Sequence, residues 1–304
     1  MRVTVTGATG TLGRVVVQAL LARGDDVTVL SRDARRAREA LGEVDAHTWA
    51  DPSGEPAPAG ALEGRDAVLH LLGEPVAQRW SSDAKKRIRE SRVAGTRNLV
   101  AALRAAAARP SVLVSQSATG YYGPRGDEPV GEDEAAGSDF LAEVVVAWEA
   151  EAARARDLGL RVVTTRTGVV LAPGGGALEK MLPPFKLGVG GPVAGGGQYV
   201  PWVHEDDVAG ALLFCLDESA ADGPVNITAP EPVTNKELSK ALGRVLRRPA
   251  FAPVPGLAVK ALYGEMATIV TTGVRAVPLR LSALGYEFRR PDLEDALRAA
   301  VSGA

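Results

Sequence analysis

The 304 residues carry 46% hydrophobic and 24% charged side chains with a formal net charge of −2 at pH 7, a balance that suits a globular chain with a full core. No basic excess is present to neutralise phosphate backbones, so nucleic acid is a poor partner, and no apolar run approaches the ~18 residues that a membrane helix needs. The single cysteine, Cys215, excludes an intrachain disulfide and, in its apolar setting, reads as a small buried hydrophobe.

Arg2 to Thr6 (RVTVT) predicts a short buried strand, and its early start leaves no room for a signal peptide, so a cytoplasmic location is expected. Helical spacing of Leu12, Val15, Val16, Ala19 and Leu20 predicts a helix over 11–23, closed by Gly24. Strands follow at 26–30 (DVTVL), 67–72 (AVLHLL), 111–115 (SVLVS), 161–166 (RVVTTR) and 225–228. Between them lie helices expected over 32–41, 83–107 and 139–156. Strands alternating with helices predict an α/β fold: a Rossmann-type, doubly wound parallel sheet covered on both faces. Residues 173–201 are rich in glycine and proline, yet Leu182, Phe185, Leu187 and Val189 are interspersed, which predicts a packed lid rather than a linker. Acidic residues of VHEDD open a helix over 206–216, and Thr234 with Glu237 forms a capping box before a helix over 234–246. A last helix is expected from Asp292.

Residues 7–13 read GATGTLG between the first strand and the first helix. Gly7 permits a tight turn. Gly10 removes a Cβ so that backbone N–H groups can approach a pyrophosphate, and Gly13 allows close helix packing. The helix N-terminus then faces the phosphates with its partial positive charge. The expected contact set is Gly7, Thr9, Gly10, Thr11, Leu12 and Gly13. An acid at the end of the second strand would mark NAD, through the ribose 2′-OH. This chain has Ser31 and Arg32 there, a hydroxyl and a guanidinium that suit a 2′-phosphate. The cofactor expected is therefore NADP(H), with Asp33, two positions later, as the competing signal.

Longer blocks carry a resemblance: TGATGTLG at 6–13, LLGEP at 71–75, SQSATGYYG at 115–123, RTGVVLAPGGGALEKMLPPFKLGVGGPVAGGGQ at 166–198, WVHEDDVA at 202–209 and VPGLAVKALYGEMATIVTTGVRAVPLRL at 254–281. Together they resemble the extended short-chain dehydrogenase/reductase superfamily, and within it the atypical epimerase-family proteins of the YfcH type. The resemblance implies an NADP-binding Rossmann domain over 1–170, its sheet completed by about 202–230. A smaller, mostly helical substrate or lid domain is implied over 171–201 and 231–304. It further implies that Leu72, Gly73 and Glu74 lie along the cofactor ribose. Ser115 and Ser117 match the strand end that supplies the catalytic hydroxyl, Ser117 the better of the two. A small-molecule substrate and a homodimer are what the superfamily implies of partners.

The superfamily's Tyr-x-x-x-Lys pair is missing. In SDFLAEVVVAWEAEA, Phe140 stands at the Tyr position and Val144 at the Lys position. Tyr122 or Tyr121 could supply a proton from the loop after Ser117, or both could be packing aromatics. Glu74 could serve as an acid in a desolvated cleft or simply bind a ribose. Lys180 and Lys186 could face an anionic substrate. His204, Asp206 and Asp207 read as helix capping and anchoring, and no metal site is expected. The catalytic set is Ser117, Tyr122 and Glu74, in an NADP-dependent oxidoreductase or epimerase acting on a small carbonyl, hydroxyl or nucleotide-sugar-like compound. The competing reading is a non-catalytic NADP(H)-binding sensor on the same scaffold.

Overall fold

The computed structural model describes residues 1–302. Its strands β1 (Arg2–Thr6), β2 (Asp26–Ser31), β3 (Asp45–Thr48), β4 (Ala67–His70), β5 (Val112–Ala118), β6 (Arg161–Thr167) and β7 (Gly223–Ile227) form one seven-stranded sheet. The order is β7-β6-β5-β4-β1-β2-β3, and every pairing is parallel. The chain winds outward in both directions from β1 and β4. Their carboxyl ends therefore bound the crevice in which ligands of doubly wound sheets bind.

Helices α1 (Thr11–Ala22) and α6 (Glu205–Asp217) cover one face, burying Val16, Val17, Leu20, Val208 and Leu212 on Val3, Val5, Val29 and Val114. Helix α3 (Ser82–Ala105) covers the other, with Leu99 and Leu103 against Val68, Leu113 and Val162. Burial on both faces is why β1, β2, β4 and β5 read as nearly continuous apolar runs. Strand β3 had no such signal: it is short, lies at the sheet edge and fully buries only Ala46.

The glycine-rich stretch after 173 contains a helix, α5 (Gly176–Lys186), with Pro183 and Pro184 inside it. Each proline lacks a donor to the carbonyl four residues back, so local propensity opposes the helix. Leu178, Leu182 and Phe185 hold it by packing on Trp202 and Leu242. Trp202–His204 pairs in parallel with Val169–Ala172 outside the main sheet, and β7 then joins the sheet edge beside β6. The Thr234–Glu237 capping box opens α7 (Asn235–Leu246).

His204 caps α6, its Nδ1 accepting the Asp206 N–H at 3.1 Å. Buried Asp207 accepts the backbone N–H groups of Arg289 and Arg290 at 2.7 and 2.9 Å. The Tyr286 hydroxyl donates to the Asp207 backbone carbonyl at 3.1 Å. One carboxylate thus ties the C-terminal segment to the sheet through charge-assisted bonds, each of about 1.5–3 kcal/mol. Asp207→Ala is expected to lower unfolding stability by about 3 kcal/mol, measured by urea denaturation; a change under about 0.5 kcal/mol, the range of ordinary surface substitutions, would contradict that role.

Candidate functional site

The turn after β1 is set by Gly7, whose φ of +67° only glycine adopts without strain. A Cβ there would also fall 2.5 Å from the Leu71 carbonyl oxygen, so no side chain fits. A Cβ on Gly13 would fall 2.2 Å from the Gly7 carbonyl oxygen, so Gly13 packs α1 against its own loop rather than against the sheet. Gly10 is the exposed N-cap of α1 and offers no side-chain cap. The first N–H groups of the helix are therefore open, and an anion is their natural partner. Thr9 and Leu12 are half-buried, and Thr11 lies exposed at the helix start. The residues present fit a diphosphate: uncapped donors, a positive helix end and no Cβ in the way.

At the end of β2, Asp33 is committed elsewhere. Its carboxylate caps α2 (Ala34–Leu41), accepting the Arg36 N–H at 3.1 Å, and that bond holds its pKa below the usual carboxylate value. The Ser31 hydroxyl accepts the Asp33 N–H at 3.4 Å. Arg32 is exposed and has no ion-pair partner among the described residues. A hydroxyl and an unpaired guanidinium are thus left to face whatever lies beyond the strand.

The segment after β4 starts against the glycine loop. The Leu71 N–H donates to the Thr6 carbonyl at 3.2 Å, and the Leu72 side chain packs on Gly95 of α3. Gly73 is exposed and Glu74 half-buried, its carboxylate near Gln78 Nε2 at 3.4 Å and Arg87 Nε at 3.9 Å. His70, the last residue of β4, is sealed between Thr6 and Thr96 hydroxyls at 2.8 and 2.9 Å. Burial pushes its pKa down to about 3, so it stays neutral and serves the core.

At the end of β5, alternation turns Ser115 and Ser117 inward; both are buried. The Ser117 hydroxyl donates to Glu149 Oε1 at 2.5 Å. Glu149, on α4 (Phe140–Ala153), is held by Arg166 of β6 through two bonds of 2.9 Å. Such a paired fork fixes the carboxylate in one plane. Arg166 Nη1 also donates to the Tyr122 hydroxyl at 3.1 Å, which donates in turn to Asn226 Oδ1 at 2.7 Å. Tyr122 is 0% exposed, and burial raises its pKa further. With its hydroxyl held between Arg166 and Asn226, Tyr122 is a member of the same buried network as Ser117 and Glu149. Tyr121 lies under the guanidinium, 3.4 Å from ring centre to Arg166 Cζ. Phe140 meets Trp80 edge to face at 5.2 Å, and Val144 is buried, so neither offers a proton or a charge.

Sequence reasoning missed Glu149 and Arg166. Glu149 lies 32 residues beyond Ser117 in an unremarkable helical stretch, and Arg166 was hidden as the last residue of an apolar strand motif. The arginine was legible as an oddity: a cation in RVVTTR has to find an anion.

The lid reaches this crevice. Lys180 of α5 donates to the Ala77 carbonyl, and Gly175 sits on Thr11, where a Cβ would fall 3.0 Å from its methyl. Lys180 is therefore spent on the protein in this state. Lys85 pairs with Glu265 at 2.5 Å, which brings the 264–267 turn over the start of α3. Among the described residues no group of three or more His, Cys, Asp or Glu could hold a metal ion, and no helix is long and apolar enough to cross a membrane.

Residues 3–228 match the model of the NAD dependent epimerase/dehydratase family, and residues 254–300 match a domain of unknown function, DUF1731. The chain is 40% identical over 303 residues to the chloroplastic epimerase family protein SDR39U1 homolog of Arabidopsis thaliana, covering 99% of this chain and 87% of that one. It is 32% identical over 303 residues to epimerase family protein YfhF of Bacillus subtilis, covering 99% and 98%. The crystal structure of human epimerase family protein SDR39U1 with NADPH superposes with a TM-score of 0.89 at 35% identity, covering 100% of both chains. A UDP-glucuronic acid 4-epimerase from Bacillus cereus, at 16% identity and a TM-score of 0.79, shares the fold. With a sheet wound around an uncapped glycine loop and a family match over three-quarters of its length, this chain belongs to the NAD dependent epimerase/dehydratase family.

Proposed function

We propose that the chain binds NADP(H) along the carboxyl ends of β1, β2 and β4 and acts as an oxidoreductase or epimerase on a small carbonyl, hydroxyl or nucleotide-sugar-like compound. The observation that carries the cofactor choice is the commitment of Asp33 to the cap of α2. It leaves Ser31 and Arg32 as the groups available to the adenosine ribose, and these suit a 2′-phosphate. The NADPH in the human relative's structure supports the same reading. The open N–H groups of Thr11, Leu12 and Gly13 receive the diphosphate.

When bound, the dinucleotide supplies or accepts a hydride. The protein's part is to hold the substrate oxygen and move its proton. Ser117 has its own proton directed at Glu149, so its oxygen is set to accept a hydrogen bond from a substrate hydroxyl. A proton leaving that hydroxyl passes to Ser117 as the serine proton passes to Glu149. Arg166 fixes the receiving carboxylate and balances its charge. Glu74, half-buried at the crevice, is the remaining carboxylate on the cofactor side. A second reading, a non-catalytic NADP(H) sensor, is favoured by the packing of Phe140 on Trp80 and by the sealing of Tyr122.

Ser31→Asp combined with Arg32→Ala should shift preference from NADPH towards NADH in a binding titration; unchanged NADPH affinity would remove the cofactor assignment. Ser117→Ala should lower kcat about 100-fold or more on any carbonyl compound that oxidises NADPH, with NADPH affinity retained. Equal turnover in that variant would take Ser117 out of the reaction.

A further inference from the structure

Arg92, on the third turn of α3, is a cation that the proton route above does not use. Its Nη1 donates to the carbonyls of Glu74 and Ile88 at 2.9 and 3.1 Å. These bonds anchor one side of the guanidinium and couple it to the segment that follows β4. The flat of the group is covered as well. A Cβ on Gly73 would fall 3.0, 3.1 and 3.5 Å from Nη2, Cζ and Nε. Such even spacing places Gly73 over the plane of the group rather than at its rim. The Trp148 ring centre lies 5.2 Å from Cζ, within cation–π range. What remains is the edge formed by Nε and Nη2, for which the described residues provide no hydrogen-bond acceptor. That edge carries two parallel N–H groups, the arrangement that matches a pair of oxygens. Burial lowers the Arg92 pKa to about 10, partly offset by the nearby Glu74 carboxylate, so the charge is held in a poorly solvated place without a direct acid partner.

The position follows from the backbone. Leu71 abuts Gly7 of the phosphate loop. Gly73 lies two residues on, at most about 7 Å further along the crevice. A dinucleotide whose diphosphate sat at Gly7–Gly13 would bring a ribose within reach of this ledge if its nicotinamide half ran toward Gly73. An anion there would have to lie beside the Glu74 carboxylate, and repulsion would oppose it. A vicinal diol suits both groups: its oxygens accept from the Arg92 edge and its hydroxyls donate to Glu74.

We propose that Arg92 and Glu74 form a donor–acceptor pair for the nicotinamide-side ribose diol of the cofactor, a cationic contact made from α3 where Val144 of α4 offers none. The inference rests on the cofactor reading above. It is tested by calorimetric titration of the full chain with NADPH and with 2′,5′-ADP, which carries the phosphorylated adenosine but no second ribose. Arg92→Ala should weaken NADPH binding about tenfold or more and leave 2′,5′-ADP binding within twofold, which also shows that the variant is folded. Gly73→Ala, which pushes the guanidinium aside without removing its charge, should produce the same selective loss. Arg92→Lys should restore part of it. If Arg92→Ala weakens neither ligand, or both equally, the pairing is overturned while the cofactor reading stands. If the unaltered chain binds neither ligand, the cofactor reading itself has failed and the pairing with it.

Discussion

The close approach of two backbones at the centre of the sheet governs the rest of the molecule. The Leu71 carbonyl stands where a side chain on residue 7 would be, and the Gly7 carbonyl stands where one on residue 13 would be. Because β1 and β4 are neighbours and the chain winds away from them in both directions, the crevice opens at this point. The absence of side chains lets the start of α1 approach the segment after β4, and it leaves the helix end open to an anion. Any side chain at position 7 or 13 would push these elements apart, separating the open start of α1 from the segment that follows β4.

A second constraint is electrostatic. Arg166 on β6, one strand in from the sheet edge, brings a charge into the interior, and Glu149 balances it with two hydrogen bonds. A buried pair of this kind is a weak source of net stability, since desolvation offsets much of the attraction. Its effect is on position: it sets the Glu149 carboxylate, and through it the Ser117 hydroxyl, while Tyr122, Asn226 and Glu132 close the network around it. A hydroxyl, Ser117, stands at the end of β5, while α4 presents Phe140 packed on Trp80 and the buried Val144. The polar groups that remain are a serine backed by a carboxylate, and an arginine arriving from another helix.

Much of the fold was legible in the sequence because β1, β2, β4, β5 and β6 are buried on both faces and α1 has apolar residues at helical spacing. The glycine loop was legible because each of its glycines answers a separate steric demand. Strand β3 was not, since an edge strand that buries one residue leaves no pattern. Helix α5 was not, since Pro183 and Pro184 oppose it locally and only burial of Leu178, Leu182 and Phe185 sustains it. Ser117 is singled out by its sequence block, but its hydrogen-bond partner is not: Glu149 becomes adjacent only when α4 packs on β5 and β6. The enclosure of the Tyr122 hydroxyl by Arg166 and Asn226 was not legible either, since both partners come from distant strands. The reading of His204 and Asp207 as capping and anchoring followed from helix-start chemistry, and both groups sit at the start of α6.

The central claim is that the crevice at β1, β2 and β4 selects a dinucleotide carrying a 2′-phosphate. Side-by-side calorimetric titration of the unaltered chain with NADPH and NADH at one ionic strength tests it directly. The account predicts that NADPH binds at least about tenfold more tightly, the difference a charge-assisted contact to one phosphate supplies. Equal affinities, tighter binding of NADH, or no heat with either coenzyme would contradict it.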